Sequence, residues 1–210
     1  MSPMNPPLVA LRPQLALSLP LAALLVLALG GCGLMKRADV HNYALATMPP
    51  AAPPFALGGM PIGIGAVELP PGLDRREIVV RDADHRLDVR GTELWAAPLE
   101  TMVLHTFAFD LADRLPEGMV VLPGQVQPAG GQRSIDLVFA DLAAGPDAVL
   151  VLDVHWTVRS SPSGPAELAG HERLSEPLDS LDSASIAAGT SRALATLADR
   201  LVAAVAAAVD

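Results

Sequence analysis

The chain has 210 residues, with 14 Lys and Arg against 23 Asp and Glu, for a net charge of −9. That length suits one domain plus extra segments, and 51% apolar residues with only 3% aromatic leave a core to be filled by aliphatics. The apolar content excludes a disordered chain. The acidic balance argues against nucleic-acid partners, and the single cysteine excludes an internal disulfide framework or a CxxC metal or redox site.

Residues 1–14 hold no acid and one base, Arg12, and an apolar run follows from Leu15 to Leu29, broken only by Ser18 and Pro20. The run ends in Leu29-Gly30-Gly31-Cys32. A weakly basic start, an apolar middle and small residues at the cleavage point are the order of a secretory signal. The run is shorter than the roughly 20 residues that span a bilayer. Its end resembles a bacterial lipobox, in which the cysteine thiol is acylated and the chain is cut between Gly31 and Cys32. An uncut signal anchor with an incidental Cys32 is the competing reading. The lipobox divides the chain into a cleaved signal peptide (1–31), a lipidated, Pro-rich tether with a short strand (32–60) and a folded domain (61–210). Two or three acyl chains hold a protein firmly at a membrane, because each buried CH2 contributes about 0.8 kcal/mol. The mature domain is therefore expected outside the cytoplasm. Gly33 stands where an Asp would favour the inner membrane, so by analogy with other lipoproteins the outer membrane is expected.

Within the tether, Tyr43-Ala44-Leu45 reads as a short strand, and Met48 to Pro54 is stiffened by its prolines. Ile62 to Val67 reads as a strand. Gly63 and Gly65 lack the third glycine and the lysine of a phosphate-binding loop. Leu69 to Leu73 is a turn, Ile78 to Val80 a second strand, Asp82 to His85 a polar turn, and Leu87 to Arg90 a third short strand. Thr92 caps a predicted helix from about Leu94 to Leu115, where Leu99, Val103, Phe107, Leu111 and Leu115 form one ridge, with Trp95, Met102 and Phe109 on its flank. Pro116 and Gly118 end it, and Val120 to Leu122 reads as a strand. Ser134 to Leu142 and Ala148 to Val158 both alternate and should form an antiparallel hairpin about Gly145-Pro146-Asp147. After the Ser160–Pro165 loop, Glu167 to Ser175 reads as a polar edge strand. A last helix places Ile186, Thr190, Leu194, Leu197, Leu201, Val205 and Val209 on one face. The expected fold is α+β: a mostly antiparallel sheet with two long helices packed on one face, preceded by a lipoprotein signal and tether.

No motif for chemistry stands out. His41, His85, His105, His155 and His171 show no metal-ligand spacing, there is no HExxH, and no serine sits in a GxSxG elbow. The expectation is no catalytic residues, no metal, no cofactor and no enzyme.

The lipobox, Tyr43-Ala44-Leu45, Ile62-Gly63-Ile64 through Val67-Glu68-Leu69-Pro70, Leu73-Asp74-Arg75, Ile78-Val79, Trp95-Ala96-Ala97-Pro98-Leu99, Ile135 to Phe139 and Val151 to Trp156 run in one order. Together they resemble the PqiC (YmbA-like) family of ABC-type transport auxiliary lipoproteins over nearly all of residues 32–210. One departure is Pro71-Gly72, where an aromatic is expected ahead of Leu73. The resemblance implies a periplasm-facing outer-membrane lipoprotein, held by acyl chains on Cys32. It would be the accessory subunit of an intermembrane lipid transport system, docking the conduit of an MCE-domain protein that works with an ABC-type or related transporter. It also allows a homo-oligomeric ring. Leu69, Pro70, Leu73, Asp74, Arg75 and Trp95 are the candidate partner interface, against a purely scaffolding reading in which Leu69-Pro70 ends a strand, Asp74 and Arg75 pair with each other, and Trp95 is core. Two other functions stay open: an independent periplasmic lipid-binding carrier with its own cavity, and an enzyme whose site only the fold assembles.

Overall fold

The computed structural model describes residues 38–55, 59–84, 86–160 and 164–208. The signal peptide and Cys32 lie outside them. In chain order the elements are β1 (His41–Tyr43), β2 (Ile62–Glu68), β3 (Glu77–Arg81), β4 (Leu87–Trp95), α1 (Leu99–Ala112), β5 (Val120–Val121), β6 (Arg133–Ala144), β7 (Val149–Arg159), β8 (Leu168–Pro177) and α2 (Ser183–Ala207).

The long, alternating strand β6 organises one sheet. Along one edge it pairs with β7, which in turn pairs with β8, and both pairings are antiparallel. Its other edge is shared. The first half runs parallel to β2, and its end meets β3, where Val80 lies opposite Ala144. From there the sheet extends outward through β5 on one side and through β4 and β1 on the other. The expected β6–β7 hairpin is present over nearly its whole length.

The fold is α+β as expected, but the sheet is mixed. β1–β4, β2–β5, β2–β6 and β3–β6 are parallel. Hairpins announce themselves through short turns, whereas these parallel pairs join segments distant in sequence, which periodicity does not report.

The face of the sheet toward the helices is aliphatic. Ile135, Leu137 and Phe139 of β6 and Leu150, Leu152, Val154, Trp156 and Val158 of β7 are all buried. Phe139 pairs with Val154 and Asp141 with Asp153, so Ala140 is an extra residue, a β-bulge. The bulge shifts the alternation by one, and beyond it Leu142 and Ala144 are buried. The helices cover this face. Leu99, Val103, Phe107 and Leu111 of α1 are buried, as is Leu115 just beyond it, and Ile186, Thr190, Leu194, Leu197, Leu201 and Val205 of α2 are buried too. Both predicted ridges therefore face the core, apart from Val209, which lies outside the described residues. Fully burying each of these aliphatics contributes about 1.5–3 kcal/mol before chain entropy is subtracted. The Asp182 side chain caps α2 by accepting from the Ser185 amide at 2.7 Å.

Two boundaries differ from the expectation. Residues 92–95 belong to β4, and α1 starts at Leu99 with Pro98 at its N-cap. A proline disfavours helical backbone in the residue before it, and Glu93, Leu94 and Trp95 instead pair in parallel with β1. Thr92 is therefore a strand residue rather than a cap, and Trp95 ends a strand rather than flanking the helix. The second difference lies at the N-terminal side, where the folded unit begins at Val40, not at 61. The segment expected as a tether is hydrogen-bonded to the domain from β1 onward, because its backbone donors meet side-chain acceptors on both helices.

The opposite face of the sheet is polar, as suits a sheet covered on one side. Its charges are paired across strands. Arg81 bonds both oxygens of Asp141 at 2.6 and 2.9 Å, and Arg159 Nε donates to Asp136 at 3.1 Å.

Trp156 sits directly opposite Gly170, and a Cβ at position 170 would collide with the indole ring. A rigid ring cannot give way as a flexible chain end does. Gly170→Ala is therefore expected to lower stability by about 1–3 kcal/mol, measured by urea unfolding; an unchanged midpoint would contradict the packing.

Candidate functional site

The first candidate is the segment after β1, which crosses both helices. The Ala46 amide donates to Ser191 Oγ of α2 at 3.1 Å, and the Met48 amide donates to Asp110 Oδ1 of α1 at 2.9 Å. Further on, the Phe55 amide donates to the Arg114 carbonyl at 3.0 Å. Pro49, Pro50, Pro53 and Pro54 lack amide hydrogens and keep the chain from folding back on itself, so it lies along the domain as a strap.

Arg114, only 2% exposed, fastens this strap. Its Nε donates to Asp199 Oδ1 of α2 at 2.7 Å, and Nη1 donates to the carbonyls of Asp110 at 2.8 Å and Met48 at 3.3 Å. One guanidinium thus joins α1, α2 and the strap, as its planar fork of donors permits. Asp110 is fully buried, and its Oδ2 has no hydrogen-bond partner. Burial pushes this carboxyl up to about 6, against the pull of the Met48 amide and of Arg114. The sequence reading missed this network. Its signal was a charged pair four residues apart, Asp110 and Arg114, set beside Leu111 and Leu115 on a helix otherwise expected to face the core.

The second candidate is the turn singled out in the sequence. The Leu73 and Asp74 amides both donate to the Pro70 carbonyl, at 2.8 and 3.1 Å. Leu73 and Trp95 are 6% and 4% exposed and pack in the core. They line an interior cleft with Val79, Leu99 and Leu142 that holds only about 10 Å³, room for about one water at most. Leu69 is half-buried against the core, Pro70 is half-buried, and Asp74 is exposed. Arg75 does not pair with Asp74. Its Nε donates to Glu77 Oε2 at 3.0 Å, and this contact holds the Glu77 carboxyl below its ordinary range. Of the six residues read as an interface, Asp74 and the outer parts of Pro70 and Arg75 are open to a partner, while Leu73 and Trp95 hold the turn in place.

The third candidate is a cluster that the strand register assembles. Pairing of β7 with β8 sets His155 opposite His171 and Asp153 opposite Arg173. The two imidazoles stack with centroids 4.5 Å apart, His171 Nε2 lies 2.7 Å from Asp153 Oδ1, and Arg173 Nη1 donates to Asp153 Oδ2 at 2.6 Å. The histidines were read singly as surface residues. Counting outward from the Ser160–Pro165 loop sets His155 opposite Gly170, one residue from His171, so only the actual register brings the two rings together. Of the other histidines, His41 Nδ1 lies 3.0 Å from Glu93 Oε1, His105 is exposed on α1, and His85 lies outside the described residues.

Asp110 titrates near 6 in the folded protein against an ordinary 3.8. Between those values the folded state binds more protons than the unfolded chain. Its contribution to stability is therefore greatest below about pH 4 and falls as pH rises to about 6. Asp110→Asn keeps an acceptor for the Met48 amide and removes the titration. Between about pH 4 and pH 7 the stability difference is expected to move by up to about 3 kcal/mol in favour of the variant. Urea unfolding across that range checks it; a difference independent of pH would contradict a carboxyl buried at this site.

A family model described as the ABC-type transport auxiliary lipoprotein component matches residues 43–202. Among solved structures, the fold resembles a crystal structure of an uncharacterized protein, with 17% identity and a TM-score of 0.62, covering 82% of this chain and 100% of that one. It also resembles protein XCC0632 from Xanthomonas campestris, of the family DUF330, with 15% identity and a TM-score of 0.59, covering 78% of this chain and 92% of that one. At those identities the likeness shows the fold alone. The comparison with curated proteins gave no match. Among the described residues no helix is long and apolar enough to cross a membrane. The matched stretch opens at Tyr43 in β1 and ends at Val202 in α2, so it takes in the strap, the sheet and both helices. On that match the chain belongs to the family of ABC-type transport auxiliary lipoprotein components.

Proposed function

We propose that this chain is a membrane-anchored periplasmic lipoprotein that serves as a docking subunit and is not itself an enzyme. Acylated at Cys32 and held at the outer membrane, it receives the periplasmic end of an MCE-domain conduit in an intermembrane lipid transport system. The packed interior supports this reading over that of a lipid carrier. Ligand pockets for molecules of lipid size run to about 300–1,000 Å³. The interior clefts against the sheet, at Leu73 and Trp95 and at Ile62 and Leu201, each hold about 10 Å³. A carrier needs a cavity, whereas a docking subunit needs a firm surface.

The strap adds a geometric argument. Seven residues, eight Cα-to-Cα steps, lie between Cys32 and Val40, where the folded unit begins. Fully extended, that stretch spans about 28 Å. A lipidated Cys32 would therefore keep the domain within about one domain diameter of the bilayer, where it would meet a conduit arriving from the opposite membrane. The carrier reading retains one observation in its favour. A groove of about 650 Å³, open to solvent, runs beside Pro54, Leu115, Glu117, Val120 and Gln125. Its lining is mostly apolar, with Asp113, Glu117 and Gln125 among it, but it is open to solvent rather than enclosed as a carrier's cavity would be.

Cys32→Ala is expected to move the protein from the membrane pellet to the soluble periplasmic fraction; unchanged acylation and sedimentation would contradict the anchor. The partner is tested by purifying the intact lipoprotein from its native cells in mild detergent and identifying what accompanies it by mass spectrometry. An MCE-domain protein with its transporter is expected. The charge-reversed variant Asp74→Arg should recover at least ten-fold less of it, with an unchanged melting temperature. Bound lipid without those proteins would overturn docking in favour of an independent carrier.

A further inference from the structure

We infer that Asp153, His155 and His171 form a binding site for a divalent transition cation of the zinc class on the polar face of the sheet. One atom from each side chain, two imidazole nitrogens and a carboxylate oxygen, lies within 4.8 Å of the others. Tetrahedral zinc with bonds of about 2.0–2.1 Å places its ligand atoms roughly 3.3 Å apart. The cluster needs to close by about 1.5 Å at most. His155 and His171 are exposed and have room to turn, while the buried Asp153 is fixed on strand β7.

The donor set selects the metal. Two imidazoles and one carboxylate suit Zn²⁺, with Cu²⁺ and Ni²⁺ as close competitors, and one hard oxygen is too few for Ca²⁺ or Mg²⁺. The surroundings leave the ligand atoms available. Arg173 occupies Asp153 Oδ2, so Oδ1 remains for the metal in place of its contact with His171. On β6, Asp141 lies opposite Asp153 and is neutralised by Arg81, and Val138 lies opposite His155. Arg173 orients the ligating carboxylate from its far oxygen, as outer partners do at metal sites. Three protein ligands leave a fourth position facing solvent for water.

The site joins β7 to β8, the last strand on its side of the sheet. A bound ion would fasten that strand, whose other attachments include the pairs of Glu172 with Arg200 and Glu176 with Arg192 on α2. Binding to the folded chain alone raises apparent stability by mass action.

The test uses the detergent-solubilised lipoprotein stripped with chelator and dialysed against ZnCl2. One Zn²⁺ per chain is expected, with a melting temperature that rises as Zn²⁺ is added. His155→Ala and His171→Ala should each weaken binding at least ten-fold and abolish that rise. His105→Ala should change neither. X-ray absorption at the zinc edge should show two imidazoles and one carboxylate oxygen. No bound zinc, or zinc retained in the His155→Ala/His171→Ala double variant, would overturn the assignment.

Discussion

The buried guanidinium of Arg114 is the point on which the arrangement of helices and strap depends. A charge taken out of water is tolerated only when its donors are met. Here they are met by Asp199, by the Asp110 carbonyl and by the Met48 carbonyl. Removing one partner of such a group typically costs 3–5 kcal/mol, because the other charge is left buried. The network therefore fixes how α1 lies on α2 and requires residues 46–55 to stay in place. Asp110 shares in this requirement, since its carboxylate accepts the Met48 amide but leaves Oδ2 unpartnered. The strap is the part of the domain that leads toward the expected lipid attachment, so the same contacts that complete the fold would also transmit the position of the anchor.

The sheet supplies the surface on which this is built. Aliphatic side chains crowd its inner face, and the bulge at Ala140 keeps both halves of β6 facing the helices despite the change of phase. The close packing accounts for the small interior clefts, and it makes the exposed parts of the molecule the natural place for function. Those parts differ in character. The Pro70–Arg75 turn projects polar groups from a buried base of Leu73 and Trp95, while the far face of β7 and β8 carries histidine and carboxylate. A family of transport accessories would need the first kind of feature to recognise a partner, and the second would strengthen the strand at the edge of the sheet.

The sequence made much of the framework legible, because local periodicity is a consequence of one-sided burial. Leu150, Leu152, Val154, Trp156 and Val158 alternate because β7 buries one face, and Ile186 through Val205 recur at helical steps because α2 buries one stripe. Turn residues at Gly145-Pro146-Asp147 revealed the hairpin. The start of α1 differs from the expectation because Thr92 has the chemistry of a helix cap, whereas Pro98 favours extended backbone just ahead of the helix. Partners distant in the chain were invisible for a different reason. Nothing near Met48 signals an acceptor at Asp110, and nothing near Tyr43 signals a parallel neighbour in β4. The proline-rich stretch looked like a spacer because its stiffness is a local property, whereas its attachment comes from side chains on two helices.

The central claim is that the segment expected as a tether is a fixed part of the domain from Ala46 to Phe55. Hydrogen–deuterium exchange of the detergent-solubilised lipoprotein tests it most directly, read at the amides of Ala46, Met48 and Phe55. The account predicts slow exchange at these amides, comparable to that in α1 and α2. Exchange at the rate of an unstructured peptide would show that the segment is free, and would contradict it.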